Sequence, residues 1–339
     1  MAAALAIAED DLPAVTVVVA FHKPQMEAAA RQIGSLLAQT GVRLSIVAVL
    51  DGLETADDPA LAGLLDRPGI DIIRHPKPLG VRGAFASGLR LARSNAASDD
   101  SYFAYADQDD FWHPAKLCRC LRLLRSSGAQ LVHCDARVVD ERGGLIAPSL
   151  HRYETRREPR DLLGTLLLNT VTGMTAAFTH HTARLTIALI DSYEGSLLHD
   201  HITAVAAASL GRVVLLDEAL IDYVQHQGNQ LGARLHYPWR SRALGASHLA
   251  AYRRTSALMF EERRPLAVAL EARQLLPRAI AAMFLAGPLP SYVRLLVSFE
   301  TAIWRLLAQG QPRRAMLAMR MMDAAFTRRW RGDSRAGPR

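Results

Sequence analysis

The sequence lacks the features that mark disulfide-linked, membrane-spanning and common nucleotide-loop proteins. Its three cysteines, Cys118, Cys120 and Cys134, form no CxxC pair, which excludes a disulfide framework and favours a reducing compartment. No run of about 18 uncharged apolar residues occurs, so we expect no membrane-spanning helix. Neither G-x-G-x-x-G nor G-x-x-x-x-G-K-S/T is present. A bound phosphate would therefore need a metal ion and basic side chains to hold it.

Positive charge is distributed unevenly along the 339 residues. Residues 236–339 hold 18 arginines, no lysine and 6 acidic residues, for a net charge of +12, whereas residues 1–235 carry −5. We therefore predict two parts, a main domain over 1–235 and a basic, amphipathic helical region over 236–339. The first 13 residues are too short and too acidic for a secretory signal, which predicts a cytoplasmic protein.

Apolar runs alternate with helical patterns through the first 140 or so residues. Continuous β-branched runs such as Val15–Phe21 predict strands buried on both faces, which are typical of parallel sheets. The alternation predicts an α/β fold with a mostly parallel sheet flanked by helices, followed by a C-terminal helical extension. We expect strands at residues 15–21, 44–50, 70–74, 102–106 and 131–139, and helices at 25–39, 61–65, 81–92 and 114–126. The segment 162–178 is interpreted as buried strand or loop.

An acidic segment, Asp107–Asp110, follows the fourth predicted strand. Carboxylates this close repel one another unless a cation lies among them. Asp107 and Asp109 are two positions apart, a spacing that lets both reach one hard cation. The alternative is an acidic turn in which one aspartate caps the helix that Pro114 starts. Asp51 also ends a strand, and because ligands of such sheets bind beyond the carboxyl ends of the strands, a shared ligand crevice is predicted.

The order of these segments resembles a known family. VTVVVAFHKP, SLLAQT, LDG, KPLGVRGAFASGL and YADQDDFWHPAKL are followed by NTVTGMTAAF, LLHDHITAVAAASLG and LLDEALIDYVQHQGNQLGA. This series, over residues 14–233, resembles family 2 glycosyltransferases with the GT-A fold, and especially their rhamnosyltransferase-like branch. The resemblance makes residues 1–235 the catalytic domain. It implies an inverting, metal-dependent transfer of a hexosyl or deoxyhexosyl group from a dTDP-, UDP- or GDP-linked donor to a hydroxyl of a cell-surface glycan or lipid-linked acceptor.

The resemblance also assigns roles to individual residues. Asp107 and Asp109 would hold Mg²⁺ or Mn²⁺, and Asp200, between two histidines, would be the catalytic base. From the residues alone Asp200 is interpreted as the N-cap of the helix that follows it, a role that does not exclude catalysis. The expected nucleotide-binding residues are Ala20, Phe21 and His22 near the base, Asp51 at base and ribose, Gly80, Arg82 and Gln108 around the nucleotide, and Gln225, His226 and Asn229 near the diphosphate.

Three departures from the family pattern leave a second hypothesis open. Leu50, Leu53 and Val224 replace polar residues of the usual nucleotide-binding segments, which suggests a catalytically degenerate nucleotide-sugar-binding or assembly protein. A sugar nucleotidyltransferase is disfavoured because AFHKP is not a glycine-rich loop after the first strand. Trp112 either stacks on an acceptor sugar or packs beneath the acidic segment.

The basic C-terminal region has two interpretations. Residues 291–307 and 313–330 have amphipathic helical patterns with arginines beside Met, Phe and Trp. Such helices suit an anionic membrane surface, which predicts peripheral attachment at the inner face of the plasma membrane. The alternative is that they pack on the catalytic domain. We expect no nucleic-acid partner, since no nucleic-acid-binding motif accompanies the charge.

Overall fold

A computed structural model describes residues 12–53, 59–225, 261–285, 302–312 and 314–319. The chain divides into two compact units. The first comprises residues 1–158, 171–188 and 198–236, and the second comprises residues 159–170, 189–197 and 237–339. The division at 235/236 therefore remains a prediction about domains, since the second unit also takes in two short segments from earlier in the chain.

The first unit is built on a twisted sheet. Among the described residues nine strands form it, in the order β3-β2-β1-β4-β8-β6-β9-β5, with β7 paired to β6. The pairings β3-β2, β2-β1, β1-β4 and β6-β9 are parallel, whereas β8 is antiparallel to both β4 and β6. The mostly parallel sheet predicted from sequence is thus confirmed. The strands are β1 Ala14–Phe21, β2 Arg43–Asp51, β3 Ile70–His75, β4 Tyr102–Ala106, β5 Phe111–Trp112, β6 Leu131–Val139, β7 Leu145–Ala147, β8 Ala176–Thr179 and β9 Val213–Val224.

Helices lie between the strands in the described ranges. They are α1 Met26–Leu37, α2 Pro59–Leu65, α3 Gly80–Ser94, α4 Lys116–Ser127, α5 Leu150–Tyr153, α6 Leu162–Leu167, α7 His180–Asp191, α8 His199–Leu210, α9 at 261–271 and α10 Arg278–Leu285. Residues 302–308 and 314–319 are also helical. No helix in the described part of the chain is long and apolar enough to cross a membrane.

The central strand shows why the apolar runs are continuous. On β1 the side chains of Val17, Val19 and Phe21 face one hydrophobic core, and Val18 faces the other. Successive residues of a strand point to opposite faces, so a strand covered on both sides needs apolar residues throughout.

The structure differs from the secondary structure expected at 114–126 and at 162–178. The helix expected at 114–126 begins at Lys116, because Pro114 lies in the preceding turn, where its carbonyl accepts a hydrogen bond from the Thr40 amide. The segment 162–178, expected as strand or loop, contains helix α6. The side chain of Asp161 caps that helix by accepting a hydrogen bond from the Gly164 amide at 2.8 Å.

Buried arginines stabilise the end of α6 within the second unit. The Arg263 guanidinium donates to the Leu166 carbonyl at 3.0 Å, and Arg314 donates to the Gly164 carbonyl at 3.1 Å. Both side chains are buried. Arg263 supplies a partner for a carbonyl group that a helix leaves unpaired at its C-terminus. Arg314 adds a second hydrogen bond to the Gly164 carbonyl, which also accepts from the Leu168 amide at 3.1 Å.

Helix α3 lies very close to the sheet at Gly88. A Cβ on this residue would lie 2.3 Å from Val18 Cγ1 and 2.8 Å from Val49 Cγ2. Glycine is therefore what allows α3 to approach β1 and β2.

We expect Gly88→Ala to lower the free energy of unfolding by about 1–3 kcal/mol, because the added methyl group overpacks the helix–sheet contact. Gly34→Ala is the matched control, since Gly34 also lies in a helix but has no atom within 4 Å of an added Cβ. The control should be neutral or stabilise by up to about 1 kcal/mol. Denaturant unfolding of both variants measures the difference, and equal effects would contradict the packing explanation.

Candidate active site

The parallel strands deliver the predicted polar residues to one edge of the sheet. β1 ends at Phe21 before His22, β2 ends at Asp51, and β4 ends at Ala106 before Asp107. These three strands are hydrogen-bonded neighbours, so their carboxyl ends lie side by side. The residues predicted to share a ligand crevice therefore lie along one edge of the sheet.

Reciprocal hydrogen bonds join the first of these strand ends to the acidic segment. The His22 amide donates to Gln108 Oε1 at 2.9 Å, and Gln108 Nε2 donates back to the His22 carbonyl at 3.3 Å. His22 Nδ1 donates to the Asp51 carbonyl at 2.8 Å. His22 is exposed, whereas Phe21 is fully buried in the core. His22 and Gln108 are thus available at the crevice, while the ring of Phe21 is a core side chain.

The Asp51 carboxylate is engaged by the backbone. It accepts hydrogen bonds from the amides of Leu79 at 2.6 Å and Gly80 at 3.0 Å, and only 3% of the residue is exposed. Gly80 begins α3 with φ at +73°, a conformation that favours glycine. Asp51 therefore caps α3 and holds the Gly80–Arg82 turn against β2. Arg82 lies half-buried in the first turn of this helix.

Four carboxylates gather beyond β4. Burial, together with the charges of Asp109 and Asp200, raises the pKa of Asp107 to about 7. The pKa of Asp110 is also raised well above its usual value by burial and by Asp107 and Asp109. Asp200 comes from α8, far away in sequence. The structure therefore brings the expected base to the expected metal-binding pair.

Asp110 has a different environment from its two neighbours. It is fully buried, and its Oδ1 accepts a hydrogen bond from the Val224 amide at 3.1 Å, at the end of β9. Its Oδ2 has no hydrogen-bond partner among the described residues. Nearby, Arg31 donates to the Asp109 carbonyl at 3.0 Å. Asp110 therefore fastens the acidic segment to β9 and does not cap α4, whose N-cap is Ala115.

Contacts between α8 and β4 position Asp200. Thr203 Oγ1 donates to the His199 carbonyl at 2.8 Å and accepts from the buried Tyr105 hydroxyl at 3.1 Å. The His199 ring stacks on Phe85 with ring centres 3.9 Å apart. Burial lowers the pKa of His199 to about 3, so this ring stays neutral at physiological pH. The first turn of α8 is thus fixed on the end of the strand that leads to Asp107.

The Asp200 carboxyl is half-buried and has its own set of partners. Its Oδ1 accepts from the His201 amide at 2.6 Å. Its pKa is about 6, raised by burial and held from rising further by the hydrogen bond from His201, the charge of Arg156 and a hydrogen bond from the Gly173 amide. Asp200 lies in the first turn of α8, whose N-cap is Leu198. The capping alternative for Asp200 is therefore wrong.

Sequence reasoning missed Arg156. Its Nη1 donates to Thr172 Oγ1 at 2.7 Å, and its Nε donates to Glu154 Oε2 at 2.7 Å. A guanidinium beside the Asp200 carboxyl is a binding group for an anion or for an acceptor hydroxyl. Nothing in the local pattern RYETRREPR distinguishes Arg156 from its neighbouring arginines, because the contact with Thr172 is made by the fold.

Trp112 packs inside the domain. Its ring is fully buried, and Lys116 Nζ lies 3.1 Å from the ring centre. Burial lowers the pKa of Lys116 to about 8. Of the two roles open for Trp112, packing is supported, because a buried ring has no surface for a sugar.

The remaining expected residues divide by position. Ala20 is half-buried at the end of β1, and Gln225 is half-buried just after β9, where its amide donates to the Val139 carbonyl at 2.8 Å. His226 and Asn229 lie outside the described residues, as do most of the two amphipathic C-terminal segments.

The acidic group suits a divalent cation. Mg²⁺ and Mn²⁺ prefer oxygen ligands, and a cation relieves the repulsion that raises the pKa of Asp107. Asp107 and Asp109 are the half-buried members of the segment, whereas Asp110 is closed off. The residue types and their electrostatics therefore fit the metal that sequence analysis assigned to this pair.

The mostly parallel α/β sheet flanked by helices agrees with the GT-A fold that the sequence predicted, and it carries aspartates at the end of β4 and a further aspartate on α8. Residues 16–184 match the family model described as "Glycosyl transferase family 2", which covers about half of the 339 residues. The chain belongs to glycosyl transferase family 2 and is a glycosyltransferase. The expectation drawn from the motif order is confirmed at the level of family; assignment to the rhamnosyltransferase-like branch stays a prediction.

Solved structures with a similar backbone cover most of the chain. S. aureus TarS 1-349 is 14% identical, with a TM-score of 0.48 over 96% of this chain and 93% of that one. S. aureus TarS 1-349 in complex with UDP-GlcNAc is 14% identical, with a TM-score of 0.45 over 92% of this chain and 89% of that one. Mannosyltransferase PcManGT from Pyrobaculum calidifontis, in complex with GDP-Man and Mn²⁺, is 17% identical with a TM-score of 0.44, over 94% and 88%. No curated protein matches the sequence.

We expect Asp107→Asn to stabilise the cation-free protein at pH 8 and to have no effect near pH 4. The pKa of Asp107 is about 7 in the folded protein against 3.8 for an ordinary aspartate. The folded state therefore resists ionisation, and stability present below about pH 4 is lost as pH rises through 7. Denaturant unfolding in EDTA should show a gain of about 1–2 kcal/mol at pH 8.

The exposed Asp66 at the end of α2 provides the control. Asp66→Asn should leave the pH dependence of unfolding unchanged. If Asp107→Asn gave the same small effect at pH 4 and pH 8, burial and the neighbouring carboxylates would not be opposing ionisation of Asp107 in the folded protein.

Proposed function

We propose that this glycosyltransferase is inverting and metal-dependent, and that it moves a hexosyl or deoxyhexosyl group from a nucleotide-sugar donor to an acceptor hydroxyl. The observation that carries the proposal is that Asp200, more than 90 positions further along the chain, lies close enough to Asp107 for its charge to act on that carboxyl. A base for the acceptor and an anchor for the leaving diphosphate are the two groups that such a displacement needs.

Asp200 would take the proton of the acceptor hydroxyl. Its pKa of about 6 leaves it mostly ionised at pH 7 while keeping it a stronger base than an exposed aspartate. Arg156, fixed on Thr172, would hold the acceptor or a phosphate oxygen beside the base. Attack on C1 from the side opposite the leaving group inverts the anomeric centre.

The donor would lie along the strand ends. His22 and Gln108 are held to each other at the ends of β1 and β4, and Asp51 fixes the turn that carries Gly80 and Arg82. Asp107 and Asp109 would hold Mg²⁺ or Mn²⁺. When bound, such an ion supplies the positive charge that stabilises the departing diphosphate. A dTDP-, UDP- or GDP-linked sugar is the expected donor class.

The acceptor follows from the motif resemblance and the charge distribution. We propose a cell-surface glycan or a lipid-linked acceptor, as in the rhamnosyltransferase-like branch. The net charge of +12 over residues 236–339 supports peripheral association with an anionic membrane at its cytoplasmic face. This association would bring the catalytic domain to a lipid-linked acceptor.

Donor-dependent stabilisation and turnover together test the function. The purified chain is incubated with UDP-, GDP- and dTDP-linked sugars, with and without Mn²⁺, while the melting temperature and released nucleoside diphosphate are measured. We expect one donor class to raise the melting temperature only with Mn²⁺, by mass action, and to be consumed. The product should have the anomeric configuration opposite to that of the donor. Donor binding without transfer or hydrolysis would favour the nucleotide-sugar-binding alternative.

We expect Asp200→Asn to keep donor binding and to lower kcat by about 10²- to 10⁴-fold, the usual contribution of a general base. In the parent protein kcat/KM should rise with pH through about 6 and then level off, because only the ionised carboxyl accepts a proton. Asp217→Asn, which alters an exposed carboxylate on β9, is the control and should keep the parent profile. Retained turnover in Asp200→Asn would remove Asp200 from the mechanism.

A further inference from the structure

Two histidines and a glutamate meet on the side of β6. His133 Nε2 lies 2.8 Å from Glu158 Oε2, and His151 Nδ1 lies 3.4 Å from Glu158 Oε1. One ligand atom from each of the three residues lies within 4.8 Å of the other two. None of these residues belongs to the carboxylate group around Asp107, and the proposed transfer reaction uses none of them.

The backbone around this cluster is held in place independently of the three side chains. The Asp135 carboxylate on β6 accepts hydrogen bonds from the Ser149 hydroxyl and, at 3.1 Å, from the His151 amide. Ser149 in turn caps α5 by accepting from the Arg152 amide at 3.1 Å. These bonds fasten α5 to β6, so that His151 is presented to His133 by a preformed scaffold.

The three side chains differ in their exposure to solvent. The His133 side chain is 0% exposed, His151 is 11% exposed and Glu158 is 28% exposed. The cluster therefore has a solvent side, through which an ion could enter and where water could complete a coordination shell. His133 Nδ1 has no hydrogen-bond partner among the described residues, although the ring is fully buried.

We propose that His133, His151 and Glu158 form a binding site for a transition-metal ion of the Zn²⁺ class. Two imidazoles and one carboxylate, with water in the fourth position, are a ligand set that Zn²⁺ takes in proteins. Mg²⁺ prefers oxygen ligands, so the nitrogen-rich set separates this site from the Asp107–Asp109 pair. Ligand atoms around a tetrahedral Zn²⁺ are about 3.3 Å apart, given bonds of about 2.0 Å. The observed separations need only small side-chain movements to reach that spacing.

The ion would close the segment that carries Arg156. This segment runs from His151 to Glu158. Within it, Thr155 has φ at +50°, and the Arg156 amide donates to the His151 carbonyl at 2.8 Å. A left-handed conformation is uncommon for a β-branched residue and persists when its surroundings enforce it. An ion held at both ends of this turn would keep Arg156 on Thr172, beside Asp200. This consequence, unlike the site itself, rests on the proposed function.

Metal binding to the full chain, prepared without an affinity tag and stripped with EDTA, tests the site. Zn²⁺ is titrated against a chromophoric chelator, and Co²⁺ is added separately to read its visible absorption. We expect the parent protein to bind one equivalent of Zn²⁺. His133→Gln and Glu158→Gln should each lower the affinity for this ion by at least about 100-fold, which is the upper end of the loss caused by removing an outer-shell partner. The absorption of tetrahedral Co²⁺ should be lost in the same variants.

Two further variants make the result specific. His181→Gln removes an exposed histidine on α7, and Asp107→Asn alters the acidic segment. Both variants should still bind one equivalent of Zn²⁺. Because His133 is fully buried, Glu158→Gln, at a partly exposed side chain, decides the outcome if His133→Gln fails to fold. Unchanged Zn²⁺ binding in folded Glu158→Gln, or loss of the equivalent in Asp107→Asn, would overturn the proposal. Neither readout depends on sugar transfer, so failure here is distinct from failure of the proposed function.

Discussion

Mutual repulsion among carboxylates at the end of β4 is the constraint on which the active-site region depends. Asp107, Asp109 and Asp110 are consecutive or nearly so, and Asp200 is brought to them by α8. A group of this kind opposes folding unless protons or a cation neutralise it. Burial of the apolar strands behind the group offsets this free-energy cost. The acidic residues therefore lie at strand ends, where solvent and a cation can reach Asp107 and Asp109, and not within the sheet.

The surrounding contacts hold that group in a fixed arrangement. On one side His22 and Gln108 tie β1 to the acidic segment, and on another Asp110 ties it to β9 through the Val224 amide. The Tyr105–Thr203 bond fixes α8. Each bond joins elements that are far apart in sequence. The geometry is therefore set before any ligand arrives, as electrostatic catalysis requires.

The local sequence pattern predicted the strands and most helices well, but it did not predict the side-chain contacts between them. The strands at 15–21, 102–106 and 131–139 agree with the structure within one residue, because strands buried on both faces leave a continuous apolar run. All six residues of the α6 segment LLGTLL are buried, so no alternation of apolar and polar residues marks its helical period. The contact of Arg156 with Thr172, the capping of α3 by Asp51 and the meeting of His133 with Glu158 depend on tertiary packing, which no local pattern records.

The protonation state of Asp107 is the property that most directly reports the electrostatic strain at the end of β4. Infrared difference spectroscopy detects the carbonyl stretch of a protonated buried carboxylic acid, and comparison with Asp107→Asn assigns the band. We expect a band that is present at pH 6, is lost as pH rises through about 7, and is lost at pH 6 when Mn²⁺ is added, because the cation replaces the proton. A parent spectrum identical to that of Asp107→Asn at pH 6, or a band insensitive to Mn²⁺, would contradict this expectation.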